Sequence, residues 1–332
     1  MLSAYRVACR QLATSVTTSN PQQKFGVMNV FDRSAKQRHR EMWVANPEAE
    51  KYDYLREEVG YRNSDRLFDI KRKLNVIVEL GCGRGYIAQH LMENVADEYI
   101  LCDMSQKIVA AARGNDRLKV SRRVVDEEQP LPFASNSVDA VVSSLSLHWV
   151  NNLPGLFRSV YDVLKPDGVF LGSLCGNDTL FELRSALQVA ETELEGGFGI
   201  HVSPFIEPTD LGGLLRNAGY RMLTLDSDSI VVGYPGLREL MADLKGMAEN
   251  NCVWKRKTHL HRRTQKLAEA KYKEMYGNEK GNIQATFHIL SFIGWKPHES
   301  QPKPAKRGSA TMSLKDLDKL KEEFPEKNSQ QV

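Results

Sequence analysis

The run Val76-Ile77-Val78-Glu79-Leu80, closed by Gly81-Cys82-Gly83-Arg84-Gly85, constrains this chain more than any other feature. A short block of apolar, β-branched residues reads as a buried strand. The alternating glycines let the backbone turn sharply and approach a ligand closely. Ile87, His90 and Leu91 predict a helix directly after the loop. The texture then repeats. Tyr99-Ile100-Leu101-Cys102 predicts a second strand ending at Asp103, Leu118 to Val125 a third ending at Asp126, and Val138 to Ser144 a fourth. Ile108, Val109 and Ala112 mark one intervening helix; Leu156, Phe157, Val160, Val163 and Leu164 mark another. Lys165-Pro166-Asp167-Gly168 predicts a turn, and Val169-Phe170-Leu171 opens a fifth strand. Strand alternating with helix predicts an α/β fold with a doubly wound, mainly parallel sheet. Ligands of such sheets sit outside the carboxyl ends of the strands, where the glycines and acids above are placed.

The flanks differ in texture. Residues 1–30 are basic, Ser/Thr-rich and free of acids, as in a mitochondrial transit peptide. Residues 31–73 predict N-terminal helices, and 74–295 the α/β domain. Helical lids or insertions are expected at 176–205 and 234–280, and a mobile Pro/Lys/Glu-rich tail at 296–332. Within the domain, Arg221 to Leu225 and Ser229 to Val232 read as two strands, Asp210 to Ala218 as a helix and Ile283 to Trp295 as the last strand. Leu237, Leu240, Met241, Leu244 and Met247 form a core stripe. Lys255 to Lys266 is strongly basic, as a solvated helix face or as a site for an anionic membrane surface or acidic partner. With 41% apolar and 26% charged residues among 332, the chain has enough apolar surface for a large core. A net charge of +3 is too weak to require nucleic acid. The five cysteines form no CxxC pair, against a disulfide framework or a cysteine-rich metal site. No run reaches the roughly 20 apolar residues of a membrane helix.

The glycine spacing is neither the dinucleotide fingerprint nor the nucleotide-triphosphate loop. The pattern Glu79-x-Gly81-x-Gly83-x-Gly85 resembles the S-adenosylmethionine site of class I methyltransferases. That resemblance implies a seven-stranded sheet, with Gly81, Gly83 and Gly85 against the amino-acid part of the cofactor and Glu79 accepting from its ammonium. Asp103, with Met104 beside it, is placed to accept from both ribose hydroxyls. Asp126 is placed like the acid that takes the adenine amino group, and Leu131-Pro132-Phe133 follows it as in many methyltransferases. Ser143 to Trp149 should face the sulfonium end, making His148 an acid–base candidate and Trp149 a pocket wall. Asn-Pro-Pro-Tyr, common at this point in amino-group methyltransferases, is absent.

A second resemblance is more particular. It is carried by Phe31-Asp32-Arg33, Glu57-Glu58-Val59-Gly60, Gly81 to Gln89, Val141 to Asn151, Asp178-Thr179-Leu180, Glu195-Gly196-Gly197-Phe198 and Trp295-Lys296-x-His298-Glu299-Ser300-Gln301. From about Phe31 to Arg307 the chain resembles mitochondrial complex I assembly factors that are protein-arginine hydroxylases on a methyltransferase-like fold. The resemblance implies a matrix protein, peripheral on the inner membrane, needed for early complex I assembly. Its implied substrate is an arginine of the complex I subunit that carries the quinone-proximal iron–sulfur cluster, and its implied partner a small helper assembly protein; nucleic acid is not among its partners. Hydroxylation of an unactivated C–H bond calls for metal or flavin chemistry, and non-haem iron uses two His and one carboxylate. The chain has no H-x-D; its one H-x-E, His39-Arg40-Glu41, lies in a polar N-terminal segment, and His259-Leu260-His261 in the basic one, so no metal ligands are assigned. For a substrate guanidinium, Asp178 with Glu182 and Glu191 with Glu195 are four apart and share helix faces. Two other functions remain open. Pro208 to Asn251 is similar to the carboxyl methyltransferases of biotin synthesis, which points to O-methyl transfer, and a non-catalytic assembly chaperone would retain the same fold.

Overall fold

The computed structural model describes residues 29–92, 95–257, 259–279, 281–303 and 307–309. The expected transit peptide, apart from its last two positions, lies outside the described residues, as does most of the expected tail. The strands are β1 (Leu74–Leu80), β2 (Ala96–Asp103), β3 (Val120–Val124), β4 (Val138–Ser144), β5 (Leu164–Cys175), β6 (Arg221–Tyr234) and β7 (Ile283–Trp295). They form one seven-stranded sheet of order β3-β2-β1-β4-β5-β7-β6. β1 to β5 run parallel, and β7 is antiparallel to both β5 and β6. The winding reverses between β1 and β4, so the ligand crevice opens at their carboxyl ends.

The helices are α1 (Arg33–Val44), α2 (Tyr54–Phe68), α3 (Gln106–Ala111), α4 (Leu153–Val163), α5 (Phe181–Glu195), α6 (Pro208–Ala218), α7 (Leu237–Gly246) and α8 (Arg262–Tyr276). Alternate residues of the strands feed opposite faces. Val78, Leu80, Ile100 and Val141 meet Leu156, Phe157 and Val160 of α4 and Leu211 and Leu215 of α6. Ile77, Leu101, Ala140 and Leu171 meet Leu67 of α2 with Ile87 and Leu91. The Leu237, Leu240 and Leu244 stripe of α7 packs with α5, α8 and the first half of β7 in a third cluster.

Five local expectations change. The helix after the glycine loop is only a 3-10 turn, Ala88–His90, because Leu91 is already extended at ψ 139°. The two strands expected at 221–232 are one, since β6 pairs with β7 without a break from Thr224 to Tyr234. The polar Asp226-Ser227-Asp228 interruption is accommodated because Arg66 and Arg62 of α2 take the two acids. The turn at Lys165–Gly168 is absorbed into β5, with Asp167 left-handed at φ 64°. The start of the tail is pinned: Lys296 Nζ donates to Asn136 Oδ1 and to the carbonyls of Tyr161 and Leu164, and Gln301 donates to Asp167 Oδ1. The basic stretch is not one helix, since α8 begins only at Arg262. Among the described residues no helix is long and apolar enough to cross a membrane.

Candidate cofactor and active site

Gly81, Gly83 and Gly85 all have positive φ, at 66°, 54° and 82°, a region that L side chains rarely adopt. Space is as strict as conformation: a Cβ at Gly81 would collide with the Ser146 side chain, and one at Gly85 with the Arg113 carbonyl. Ser146 is aimed at the loop by Leu145, a buried non-glycine residue held at φ 48°, a strain of the kind found at functional sites. Glu79, near the end of β1, is fully buried and accepts from Tyr99 Oη at 2.7 Å. Burial pushes its carboxyl up to about 8, the Tyr99 hydroxyl opposing and Asp103 adding to the rise. The acid is therefore neutral at pH 7, and a cationic ammonium beside it would restore its charge. Asp103 ends β2, fully buried. It accepts from Gly83 N at 3.3 Å and Ser105 N at 3.4 Å, both long, leaving acceptor capacity for hydroxyls. Burial raises its pKa too, with Arg40 opposing. Met104 is half-buried next to it. In donor chemistry and backbone cradle, these residues fit the amino-acid and ribose parts of S-adenosylmethionine.

The sequence did not reveal what covers this cradle. Helix α1 lies across the strand ends, capped by Asp32, whose carboxylate accepts from Ala35 N. Arg40, almost fully buried, donates through Nη2 to Ser146 Oγ at 2.9 Å, while Nη1 sits 3.6 Å from Asp103 Oδ2. Glu41 accepts from Ser105 Oγ, and the Trp43 ring lies 3.5 Å from where a Gly83 Cβ would stand. The ribose position is thus contested by a guanidinium, and a nucleoside entering must displace it. Asp126 is the more exposed acid at the end of β3, paired with Arg33 at 2.8 Å. Its neighbour Glu127 is the buried one, bonded to Arg33 at 2.7 Å and to Ser146 Oγ at 3.2 Å. Arg33, Arg40 and Glu127 escaped the sequence reading. The signal for the two arginines is a basic helix with no acid in its first turn, ahead of the domain; that for Glu127 is its place next to Asp126 after β3.

His148 and Trp149 follow β4 and are both buried. Their partner is Glu249, which accepts from Trp149 Nε1 at 2.9 Å and His148 Nε2 at 3.3 Å and pairs with Arg56 of α2. The other ring nitrogen, His148 Nδ1, accepts from Cys175 N at 3.4 Å. Burial lowers the pKa of His148 against the pull of Glu249, so the ring is neutral with both nitrogens engaged. In this arrangement it orients and holds; it has no free nitrogen for a substrate proton. Lys36 Nζ stands 3.3 Å over the Trp149 ring and donates to the carbonyls of Ala248 and Asn250. Behind the cluster, Leu145, Cys175, Phe205 and Arg56 line a cavity of about 20 Å³, room for little more than one water.

The acids expected to meet a substrate arginine are mostly spent internally. Glu182 accepts from Thr286 N at 3.2 Å and from its hydroxyl, tying α5 to β7. Glu191 accepts from Gly199 N, His201 Nε2 and Lys257 Nζ, and Glu195 from Lys257 and Thr264. Burial would raise the Glu191 carboxyl, but those three donors outweigh it and hold it low. Asp178 alone is exposed without a partner among the described residues. Glu191→Gln is therefore expected to cost about 1–3 kcal/mol of stability, visible as a lower melting temperature, while affinity for an arginine peptide stays unchanged. His39 and Glu41 do not converge on a metal position, because Glu41 faces Ser105 and Lys107. His259 and His261 are exposed and stack edge to face at 5.0 Å. Among the described residues no group of three or more His, Cys, Asp or Glu is arranged to hold a metal.

Residues 78–172, from β1 to β5, match the model of a methyltransferase domain family. A Danio rerio protein named mitochondrial arginine-hydroxylase NDUFAF5 is 52% identical over 88% of this chain and 91% of its own length. A Homo sapiens protein of the same name is 50% identical over 90% of this chain and 86% of its own. The chain belongs to the mitochondrial arginine-hydroxylase NDUFAF5 family. Membership and sheet order together give it the class I methyltransferase fold, with the first strands, glycine loop and acids in their expected order. A more distant relative, a malonyl-[acyl-carrier protein] O-methyltransferase of Methylovorus, is 31% identical over 73% of this chain and 82% of its own length.

Proposed function

We propose that this protein is a mitochondrial protein-arginine hydroxylase that modifies an arginine of the iron–sulfur, quinone-proximal subunit of respiratory complex I during early assembly. The observation that carries this reading is about 50% identity to proteins named arginine-hydroxylase along nearly the whole chain. The reaction converts a C–H bond of the arginine side chain to C–OH and draws on an external oxidant. S-adenosylmethionine, when bound, supplies a sulfonium-activated carbon. For it, Glu79 takes the ammonium, Gly81, Gly83 and Gly85 the amino-acid part, Asp103 and Met104 the ribose side, and Asp126 the adenine amino group. Helix α1 excludes water above them. Peripheral attachment to the inner membrane is supported by exposed Lys255, Arg262, Arg263 and Lys266, none in an ion pair among the described residues, next to exposed Trp254. A small helper assembly protein completes the proposed partners.

The test is peptide mass spectrometry of that subunit's arginine region from mitochondria with and without this protein. Loss of one oxygen mass without it supports hydroxylation. Loss of a methyl mass instead supports the second reading, methyl transfer, which the O-methyltransferase relative favours. If neither mass changes and complex I still fails to assemble, the protein acts as a non-catalytic chaperone.

A further inference from the structure

Arg40 has hydrogen-bonding capacity that its neighbours leave unused. Its guanidinium carries a fork of N–H donors, but among the described residues it makes one hydrogen bond, from Nη2 to Ser146 Oγ at 2.9 Å. Nη1 is buried without a hydrogen-bond partner and stands 3.6 Å from Asp103 Oδ2, too far to donate to it. Arginine ordinarily meets a carboxylate at about 2.7–2.9 Å, often through a pair of parallel bonds. Buried donors of this kind are normally satisfied. The neighbouring cations are already committed. Arg33 donates to Asp126 and Glu127, Lys36 to the carbonyls of Ala248 and Asn250, and Arg84 of the glycine loop to Asp53.

Its partners place this guanidinium inside the cradle. Ser146 packs on Gly81, and Asp103 accepts from Gly83 N, so Arg40 spans the loop from one glycine to the next. The other polar groups there suit only part of an amino-acid ligand. Glu79, Asp103 and Glu127 are buried carboxyl groups, which favour an ammonium and repel a carboxylate. The loop amides of Cys82, Gly83 and Gly85 already donate, to the Cys102 carbonyl, Asp103 Oδ2 and the Cys82 carbonyl. The α-carboxylate of S-adenosylmethionine therefore needs a cation. Arg40 is permanently charged, and its planar fork matches a carboxylate.

We infer that Arg40 selects the ligand of this cradle by its carboxylate: it leaves Asp103 to hold the α-carboxylate of S-adenosylmethionine, and it stays on Asp103 against nucleosides that lack one. A ligand with the carboxylate gives Arg40 a new counter-charge as the ribose takes Asp103. A ligand without it must expel the guanidinium and offers nothing in return. The inference rests on the reading that S-adenosylmethionine binds here. The experiment titrates the full chain calorimetrically with S-adenosylmethionine and with decarboxylated S-adenosylmethionine, which keeps the nucleoside, the sulfonium and the amine. The wild type is expected to prefer the first by about 10–100-fold. Arg40→Gln reduces that preference to about threefold or less, chiefly by weakening S-adenosylmethionine. Arg40→Lys, with a charge but no fork, falls between the two. Equal binding of the two ligands by the wild type overturns the inference and leaves the cofactor reading standing. So does an Arg40→Gln protein that loses affinity for both ligands by the same factor, since Arg40 then only holds the fold. A wild type that binds neither ligand overturns the cofactor reading and the inference together.

Discussion

Asp103→Asn weakens binding of S-adenosylmethionine to the full chain by about 30–100-fold, measured by titration calorimetry. Two hydroxyls donating to one carboxylate form charge-assisted bonds, each contributing about 1.5–3 kcal/mol. The amide keeps one acceptor and presents a donor where the second is needed, so about 2–3 kcal/mol is lost, and 1.4 kcal/mol is tenfold. The fold should tolerate the change. Asn retains an oxygen for the amides of Gly83 and Ser105, and a buried charge that desolvation already penalises is removed. Arg40 offsets part of the loss, because a neutral partner holds its guanidinium less tightly over the cradle. An unchanged affinity would place the ribose elsewhere than Asp103.

Glu249→Ala has the larger effect on the fold. It strips the carboxylate from Arg56, His148 and Trp149 at once and leaves Arg56 buried without its counter-charge. Breaking a buried pair from one side costs about 3–5 kcal/mol, and at about 2–4 °C per kcal/mol in a domain of this size the melting temperature falls by about 6–20 °C. The pH dependence identifies the cause. Burial alone would raise the Glu249 pKa, but Arg56, the His148 hydrogen bond and Lys36 outweigh it and hold the carboxyl well below its ordinary value. A depressed carboxylate contributes stability above its unfolded pKa of about 4.3, and that contribution is lost as the pH falls toward the folded value. The gap in melting temperature between wild type and variant is therefore full at pH 7 and narrows below about pH 4. A gap independent of pH would mean that the loss is one of packing.

The strands and the glycine loop were legible because their signals are local. An apolar run beside glycines with positive φ leaves the backbone few alternatives, and the acids at Asp103 and Asp126 follow from where the strands stop. The continuity of β6 was not legible, because Asp226 and Asp228 look like a break until Arg66 and Arg62 arrive from α2. The partners of the expected substrate acids were not legible for the same reason: spacing of four puts Glu191 and Glu195 on one face, but says nothing of Lys257 reaching both.

What the sequence by itself determined is the α/β order, the cradle and the acids at the strand ends, all products of periodicity and turn chemistry over a few residues. The tertiary structure alone decided that α1 lies over that cradle with Arg40 against Asp103, and that Glu249 reaches back 101 residues to His148. Such pairings depend on which distant segments close on one another. A charge in the sequence carries no mark of its partner, and burial selects one only after the sheet has formed.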